Sequence, residues 1–265
     1  MKRTTSLALA SVLWTFTARA TPAEPEVDLS TAGIVEARPL RATAATGAFL
    51  PFSPSPVIEG QRAYGMGLGG YDTARETGSF EAMAEVRVWG PFALRVGAVY
   101  SNTAETLRPS VGGRAQVLHQ GPHGIDGSVG VFYKPEGLTE PEGEIEGIFT
   151  IGKHLGGTYA LASLAYGQDP EGNERDGEVR LGAVRPVGGR TFLGMDGRVR
   201  FDLGSQAAKL ALRKEATFDV LVGPSVTVLA GPVALLVHGG ASAVRFQGTD
   251  LRYGAFVLGG AGTAF

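Results

Sequence analysis

The feature that most constrains this chain is a period-two alternation of apolar and polar residues that recurs from residue 61 onward. The segment 79–89 is typical. It places Phe80 and Val86 on one face of an extended strand and Glu85 and Arg87 on the other. Such alternation predicts a β-strand with one apolar and one polar face.

About twelve segments of this kind follow one another, each close to ten residues long. A strand that crosses a bilayer at a tilt needs about 9–11 residues, so the segments have the length of membrane-crossing strands. They are roughly 62–71, 79–89, 92–101, 108–119, 124–134, 143–153, 157–167, 177–186, 190–202, 214–229, 233–246 and 251–265.

The connectors between these segments alternate in length. Tight turns such as Gly90-Pro91 and Gly231-Pro232 alternate with longer polar connectors such as 135–142 and 203–213. Short turns on one side and long loops on the other are typical of a transmembrane barrel. We therefore predict an all-β fold, an antiparallel transmembrane up-and-down β-barrel of about 12 strands, with 10 to 14 possible. An even strand number puts both ends on the short-turn side.

Composition narrows the function classes. The formal net charge is −2 and only 19% of residues are charged, which excludes the broad basic surface of a nucleic-acid binder. Cys is absent, so the chain has no disulfide, no thiolate metal site and no lipid-modified Cys. A secreted soluble β-sandwich would also show alternation. Strand length, loop alternation and the aromatic positions described below favour the barrel.

The chain begins with features of an exported protein. Lys2 and Arg3 precede a short apolar run, and Ala18-Arg19-Ala20 resembles a cleavage site, so we expect a signal peptide over 1–20. Prolines are frequent in residues 21–60, which we interpret as a periplasmic tail or linker ahead of a barrel at 61–265. This tail could also form a short strand near Ala48–Phe52, or fold back onto the barrel.

Aromatic residues gather near both ends of the predicted strands, where membrane interfaces favour them. The expected interface residues are Tyr64, Tyr71, Trp89, Tyr100, Tyr133, Tyr159, Tyr166, Phe201, Phe246 and the terminal Phe265. With this terminal aromatic, the chain resembles the outer-membrane β-barrel proteins of Gram-negative bacteria, porins among them. The resemblance implies an outer-membrane location with periplasmic termini, contact with outer-membrane lipid, and recognition of the C-terminal strand by the outer-membrane assembly machinery.

The polar faces of the strands would line the lumen of such a barrel. The expected lumen-lining residues are Glu85, Arg87, Arg95, Arg114, Glu144, Glu146, Arg180, Asp196, Arg198 and Arg200. Glu142 shares its face with Glu144 and Glu146. Rows of opposite charge could select solutes in an open pore. They could equally pair and fill the interior, because about eight strands close on side chains and sixteen leave a channel.

Cofactor and metal signals are weak. Gly65, Gly67 and Gly70 match G-x-G-x-x-G, but no helix pattern follows, so we expect no dinucleotide cofactor. His119 and His123 are four residues apart, but Pro122 opposes a helix there and two His leave a zinc site short of ligands. We expect neither a cofactor nor a metal.

Passive, porin-like passage of small polar solutes is the function that this sequence favours. One alternative is a non-conducting structural or adhesive barrel. Another is a lipid-modifying enzyme that uses His238 with Ser225 or Ser242 on the outer wall, although their spacing does not single them out. No catalytic set is convincing, and the sequence does not identify a solute.

Overall fold

The computed structural model describes residues 50–58, 63–102, 106–135, 143–205 and 216–264. All of them belong to one compact unit, 39–265. The expected signal peptide, Glu142 and Phe265 lie outside the described residues.

Twelve β-strands make up most of this part of the chain. They are β1 Ala63–Asp72, β2 Thr77–Trp89, β3 Phe92–Ser101, β4 Thr106–Leu118, β5 Asp126–Pro135, β6 Gly143–Leu155, β7 Thr158–Gln168, β8 Arg175–Pro186, β9 Thr191–Asp202, β10 Ala216–Ala230, β11 Val233–Phe246 and β12 Arg252–Ala264.

The strands close into a single barrel. Each strand pairs antiparallel with its neighbours in sequence, and β1 pairs with β12. Met66, for example, lies opposite Met83 on β2 and opposite Gly262 on β12. The predicted antiparallel barrel of twelve strands is confirmed. The two open sheets of a sandwich are excluded because the first strand is hydrogen-bonded to the last.

Several connectors are shorter than the sequence indicates, because strands extend further into them. The β1–β2 connector, expected over 72–78, is reduced to 73–76. The turn between β4 and β5 holds a one-turn helix, α1 (Gln120–His123), so the expectation that Pro122 prevents a helix there was wrong. In a single turn the amide that proline lacks would have no intrahelical partner.

Among the described residues, no helix has the length and apolar character needed to cross a membrane.

The two faces of the barrel wall have opposite character. Outward-facing apolar side chains are highly exposed, such as Leu181 at 61% and Val131 at 60%. Inward-facing charged side chains are buried, such as Glu85 and Asp196 at 1% each. A protein that folds in water has the reverse distribution. On strands such as β2 and β9 the predicted apolar face therefore lies outside and the charged face encloses the lumen, whereas on β1 the apolar Met66 and Leu68 face inward.

Most of the expected interface aromatics lie on the outside of the barrel. Tyr71, Tyr100, Tyr133 and Tyr166 are exposed at strand ends near the longer loops. Trp89 is 76% exposed at the opposite end, where its ring stacks on Phe92 with centroids 5.8 Å apart. Phe201 is half-buried.

For three of these aromatics the expectation of an outward-facing ring was wrong. Tyr64 and Tyr159 are buried inside the barrel, at 5% and 4% exposed. Phe246 packs against Ala74 and Val244, which are buried. A strand end fixes the height of a ring along the barrel, but the parity of the strand fixes its side. Tyr64 shares parity with the buried Met66, so it faces inward.

Candidate functional site: the barrel lumen

Residues 50–58 lie inside the lumen, in the half near the short turns, which we call the turn-side half. Leu50, Ser53 and Ile58 are at most 1% exposed. Part of the proline-rich tail therefore folds back into the barrel. Residues 50–52 form no strand. We call residues 50–58 the lumen segment.

Asp196 on β9 holds one part of the lumen segment. Its carboxylate accepts a hydrogen bond from the Phe52 amide at 2.7 Å and one from the Ser53 hydroxyl at 2.7 Å. A buried carboxylate is stable only where donors surround it. Asp196 was expected in the lumen on parity alone, and its partner proves to be the lumen segment.

The opposite wall holds the other part of the lumen segment. The Gln116 side-chain oxygen accepts a hydrogen bond from the Ile58 amide at 2.8 Å, and the Arg114 guanidinium donates to the Ser55 carbonyl. Both residues belong to β4. The lumen segment thus crosses the barrel interior from β9 to β4.

Glu85 fixes the orientation of Arg114. Its carboxylate accepts hydrogen bonds from Arg114 Nε at 2.8 Å and Nη2 at 2.5 Å, and one from Arg95 Nε at 2.9 Å. All three residues are buried. We call this set the Glu85 cluster. Arg114 uses two of its three guanidinium nitrogens on Glu85, which leaves the third, Nη1, to donate to the lumen segment.

Apolar side chains complete the turn-side half. Leu50 packs among buried residues of the wall, and two glycines provide its space. A Cβ atom on Gly182 would lie 2.9 Å from Leu50 Cδ1, and one on Gly194 would lie 3.1 Å from Leu50 Cδ2. The wall residues around Leu50 are Tyr159, Leu161, Val184, Phe192 and Ala234.

The half of the lumen near the longer loops, which we call the loop-side half, is lined by ion pairs. Arg198 on β9 lies 3.2 Å from Asp219 on β10, and Arg180 lies 2.7 Å from Glu178 on the same strand, β8. Lys134 pairs with Glu146, and Arg200 pairs with Asp176. These basic side chains keep between 15% and 36% of their surface exposed, so they face space rather than packed protein.

The β1–β2 connector folds over the rim of this half. Arg75 lies 2.6 Å from Asp219, and Ala74 is 3% exposed. Gly254 on β12 makes this approach possible, because a Cβ atom there would lie 2.5 Å from the Ala74 amide nitrogen. Burial lowers the pKa of Arg75, and the Asp219 carboxylate opposes that shift.

Two cavities occupy the loop-side half and extend toward the lumen segment. One, of about 320 Å³, is lined by charged residues that include Glu144, Asp176 and Arg200. The other, of about 360 Å³, extends down to Phe52 and Tyr64. They share lining residues, among them Lys134, Glu146, Arg180 and Arg198. The loop-side half is therefore hollow, with walls of mixed charge.

The expected lumen residues fall into three groups. Glu85, Arg95, Arg114, Glu146 and Asp196 are buried in the interior. Glu144, Arg180, Arg198 and Arg200 are half-buried along the cavities. Arg87 is exposed, beside the short β2–β3 turn.

Sequence reasoning missed two important lumen groups, Asp219 and Glu178, and it left open whether the tail that contains the lumen segment folds back onto the barrel. Asp219 is a lone carboxylate within an apolar strand, and it is fully buried between Arg75 and Arg198. That isolation could have marked it as inward-facing. The lumen segment has no alternation, and no comparable signal marks it.

Ser225, Ser242 and His238 all face inward. They are at most 4% exposed, so none lies on the outer wall where a lipid would reach it. His238 Nε2 is 3.1 Å from the Gly223 carbonyl oxygen, and its ring lies between Phe52 and Phe256, with centroids 5.0 and 4.9 Å away. No group of three potential metal ligands occurs within the described part of the chain.

No family model and no curated protein matches this sequence. Several solved structures share its fold. The NanC porin superposes with a TM-score of 0.54 at 7% identity, covering 74% of this chain and 98% of its own. The KdgM porin gives 0.53 at 6% identity, covering 76% and 99%. An outer-membrane channel from Pseudomonas putida F1 gives 0.52 at 9% identity, covering 81% and 98%. The chain therefore has the closed-barrel fold of outer-membrane channels.

Proposed function

We propose that this protein is an outer-membrane barrel through which small polar solutes pass by diffusion. The observation that carries the proposal is the reversed polarity of the wall, with apolar side chains exposed outside and ion pairs enclosed inside. In a bilayer the outer face would contact acyl chains, and the closed antiparallel ladders leave no unpaired sheet edge to face the lipid.

The orientation follows from the loops. Short turns of barrels in this class lie on the periplasmic side. The first and last strands would therefore both have their free ends on that side, and the lumen segment would lie in the periplasmic half of the lumen. The signal peptide expected over 1–20 supports export. Tyr253 and Val257 alternate outward on the last strand, in the pattern that would suit recognition by the outer-membrane assembly machinery.

Solute passage is supported by the hollow, charged loop-side half. Paired cations and anions keep polar groups in place without closing the space between them. Such walls favour hydrated solutes over apolar ones. A second structure of the KdgM porin, which superposes with a TM-score of 0.52, holds disordered oligogalacturonate.

A second candidate function is a non-conducting barrel whose loops bind partners. One observation favours it: the lumen segment crosses the turn-side half and bonds to both β9 and β4. A permanently filled lumen would leave the loops as the functional surface.

Planar-bilayer recording on two proteins decides between these candidates. One is the full chain, and the other is a variant in which residues 50–58 are replaced by a Gly-Ser sequence of equal length. Outer-membrane fractionation and heat-modifiable gel mobility first verify that each is located in the outer membrane and folded. The channel proposal expects conductance steps from at least one of the two. Silence from both folded proteins would contradict it and favour the non-conducting barrel.

A further inference from the structure

We infer that the turn-side half is a binding site for an extended, proline-rich peptide, and that the lumen segment is its tethered ligand, which closes the diffusion path. The closing role rests on the proposed function, whereas the binding site does not. The site recognises the main chain of the peptide at three points and its apolar side chains at the two ends.

The lumen segment suits a buried site because it presents few unsatisfied groups. Its sequence is Leu-Pro-Phe-Ser-Pro-Ser-Pro-Val-Ile, and Pro51, Pro54 and Pro56 carry no amide hydrogen. Burying an unpaired amide is costly, so each proline removes one such cost. Ser55 Oγ accepts a hydrogen bond from the Val57 amide at 3.2 Å, which satisfies another donor within the segment.

The wall supplies main-chain recognition. Asp196 accepts from the Phe52 amide, Gln116 accepts from the Ile58 amide, and Arg114 donates to the Ser55 carbonyl. These groups are each held by the barrel. Arg114 is aligned by Glu85, and Gln116 also donates to the Leu118 carbonyl at 3.2 Å. A pre-positioned set of this kind binds a peptide backbone with little loss of its own freedom.

Apolar contacts fix the position of the segment. Leu50 and Ile58 are fully buried at its two ends. Between them, the Phe52 ring lies against His238 and Phe256, with Arg198 positioned 5.2 Å above its centroid. Leu50 packs closely over Gly182 and Gly194, where a Cβ atom would lie 2.9 and 3.1 Å from its methyl groups.

The lumen segment is held by the barrel as a bound peptide would be, and it is not part of the barrel wall. Residues 50–58 belong to no strand, and their contacts with the wall are made to side chains. Every one of the twelve strand pairings is complete without them. Displacement of the segment therefore breaks no ladder of the barrel and would open the path between β9 and β4.

The first experiment uses the variant with the Gly-Ser replacement of residues 50–58. We expect a several-fold higher single-channel conductance than for the full chain. Added peptide of sequence 50–58, with acetylated and amidated ends, should return the conductance toward that of the full chain. Tethered segments act at effective concentrations on the order of mM, so the free peptide is tested up to that range. The matched control peptide carries Leu50→Ser and Ile58→Ser and should not block.

Peptide binding is measured separately by fluorescence anisotropy on the same folded variant, so the two proposals can fail independently. Equal conductance of the two proteins would overturn the closing role and leave the channel proposal intact. Silence from both, with peptide binding to the variant alone, would overturn the channel proposal and support the binding site. Absence of both binding and block would overturn the binding site.

A cross-link tests the position of the segment directly. An ideal Cβ atom on Gly182 lies 3.1 Å from Ser53 Oγ, which suits a disulfide in the doubly substituted Ser53→Cys, Gly182→Cys variant. The natural chain has no Cys, so no other pairing competes. We expect cross-linking under mild oxidation. The control Ser53→Cys, Gly188→Cys should give none, because a Cβ atom on Gly188 has no neighbour within 4 Å. Equal behaviour of the two variants would place the segment elsewhere.

Discussion

The two halves of the lumen each contain a carboxylate held between two arginines, but the two sets differ in exposure. In the turn-side half Glu85 lies between Arg95 and Arg114, whose side chains are 10% and 6% exposed. In the loop-side half Asp219 lies between Arg75 and Arg198, whose side chains are 25% and 29% exposed. The same charge pattern therefore serves packing in one half and lines a cavity in the other.

This difference predicts which charges stabilise the barrel and which face solutes. A cation that remains buried must keep its partner, because water cannot replace it. A cation at the edge of a cavity can be rehydrated, or can engage a passing anion, when its partner is removed. Substitutions in the two halves should separate these roles.

The largest effect is expected from Glu85→Ala. It leaves Arg95 and Arg114 buried and uncompensated, which typically costs about 3–5 kcal/mol of unfolding free energy. Urea titration of the protein in lipid vesicles measures it. The control is Arg87→Ala on the same strand, which is exposed and should change the free energy by less than about 0.5 kcal/mol. Equal losses of unfolding free energy from the two substitutions would contradict the claim that the buried charges, unlike the exposed ones, stabilise the barrel.

The outer wall should tolerate charge less well than the lumen it encloses. Leu181 is exposed outside, whereas its neighbour Arg180 lines the cavities inside. Leu181→Arg should lower the unfolding free energy in vesicles by about 2–4 kcal/mol, the cost of arginine near the bilayer midplane. Leu181→Ala serves as the control and should cost clearly less. A neutral Leu181→Arg variant would indicate that this face contacts water.

A smaller loss is expected from Asp219→Ala in the loop-side half. Loss of charged hydrogen bonds costs about 1.5–3 kcal/mol, and the exposure of Arg75 and Arg198 should keep the value below that of Glu85→Ala. Two cations would gain freedom at the cavity, so reversal potentials in a salt gradient should shift toward anion preference. An unchanged reversal potential would mean that Asp219 does not influence the ion path.

The smallest effect is expected at Arg200, which pairs with Asp176 across β9 and β8 and whose pair is partly exposed on both sides, at 29% and 20%. Arg200→Ala should change the unfolding free energy by no more than about 1 kcal/mol, because ion pairs that water reaches contribute little. Urea titration at low and high salt checks this, and high salt should reduce the difference from the natural protein. A larger, salt-independent loss would assign this pair to the packed interior.

The strands and their faces could be predicted from the sequence because period-two alternation is a local property. Segments such as 92–101 and 233–246 coincide with β3 and β11. Tyr64 and Tyr159 were wrongly expected to face outward, because a position near a strand end indicates only where the ring lies along the barrel axis. Parity in β1 is obscured by Gly65, Gly67 and Gly70, which have no side chain to mark a face.

The contacts within the lumen depend on residues that are distant in sequence. Arg114 and Glu85 are 29 positions apart, and Ser53 and Asp196 are 143 apart. Only the register of the closed sheet brings such groups together. The position of the lumen segment was left open for a further reason. Its prolines make it resemble a linker, and the same prolines reduce the number of donors that must be satisfied inside the barrel.

The most direct test of the lipid-facing wall uses Trp89, which is 76% exposed on the outside of the barrel. The substitution Trp14→Phe leaves it as the single tryptophan of the chain. In vesicles that contain brominated lipid, we expect strong quenching of its fluorescence and weak quenching by aqueous acrylamide. Fluorescence that responds to acrylamide and ignores brominated lipid would contradict the account, because the apolar wall would then face water.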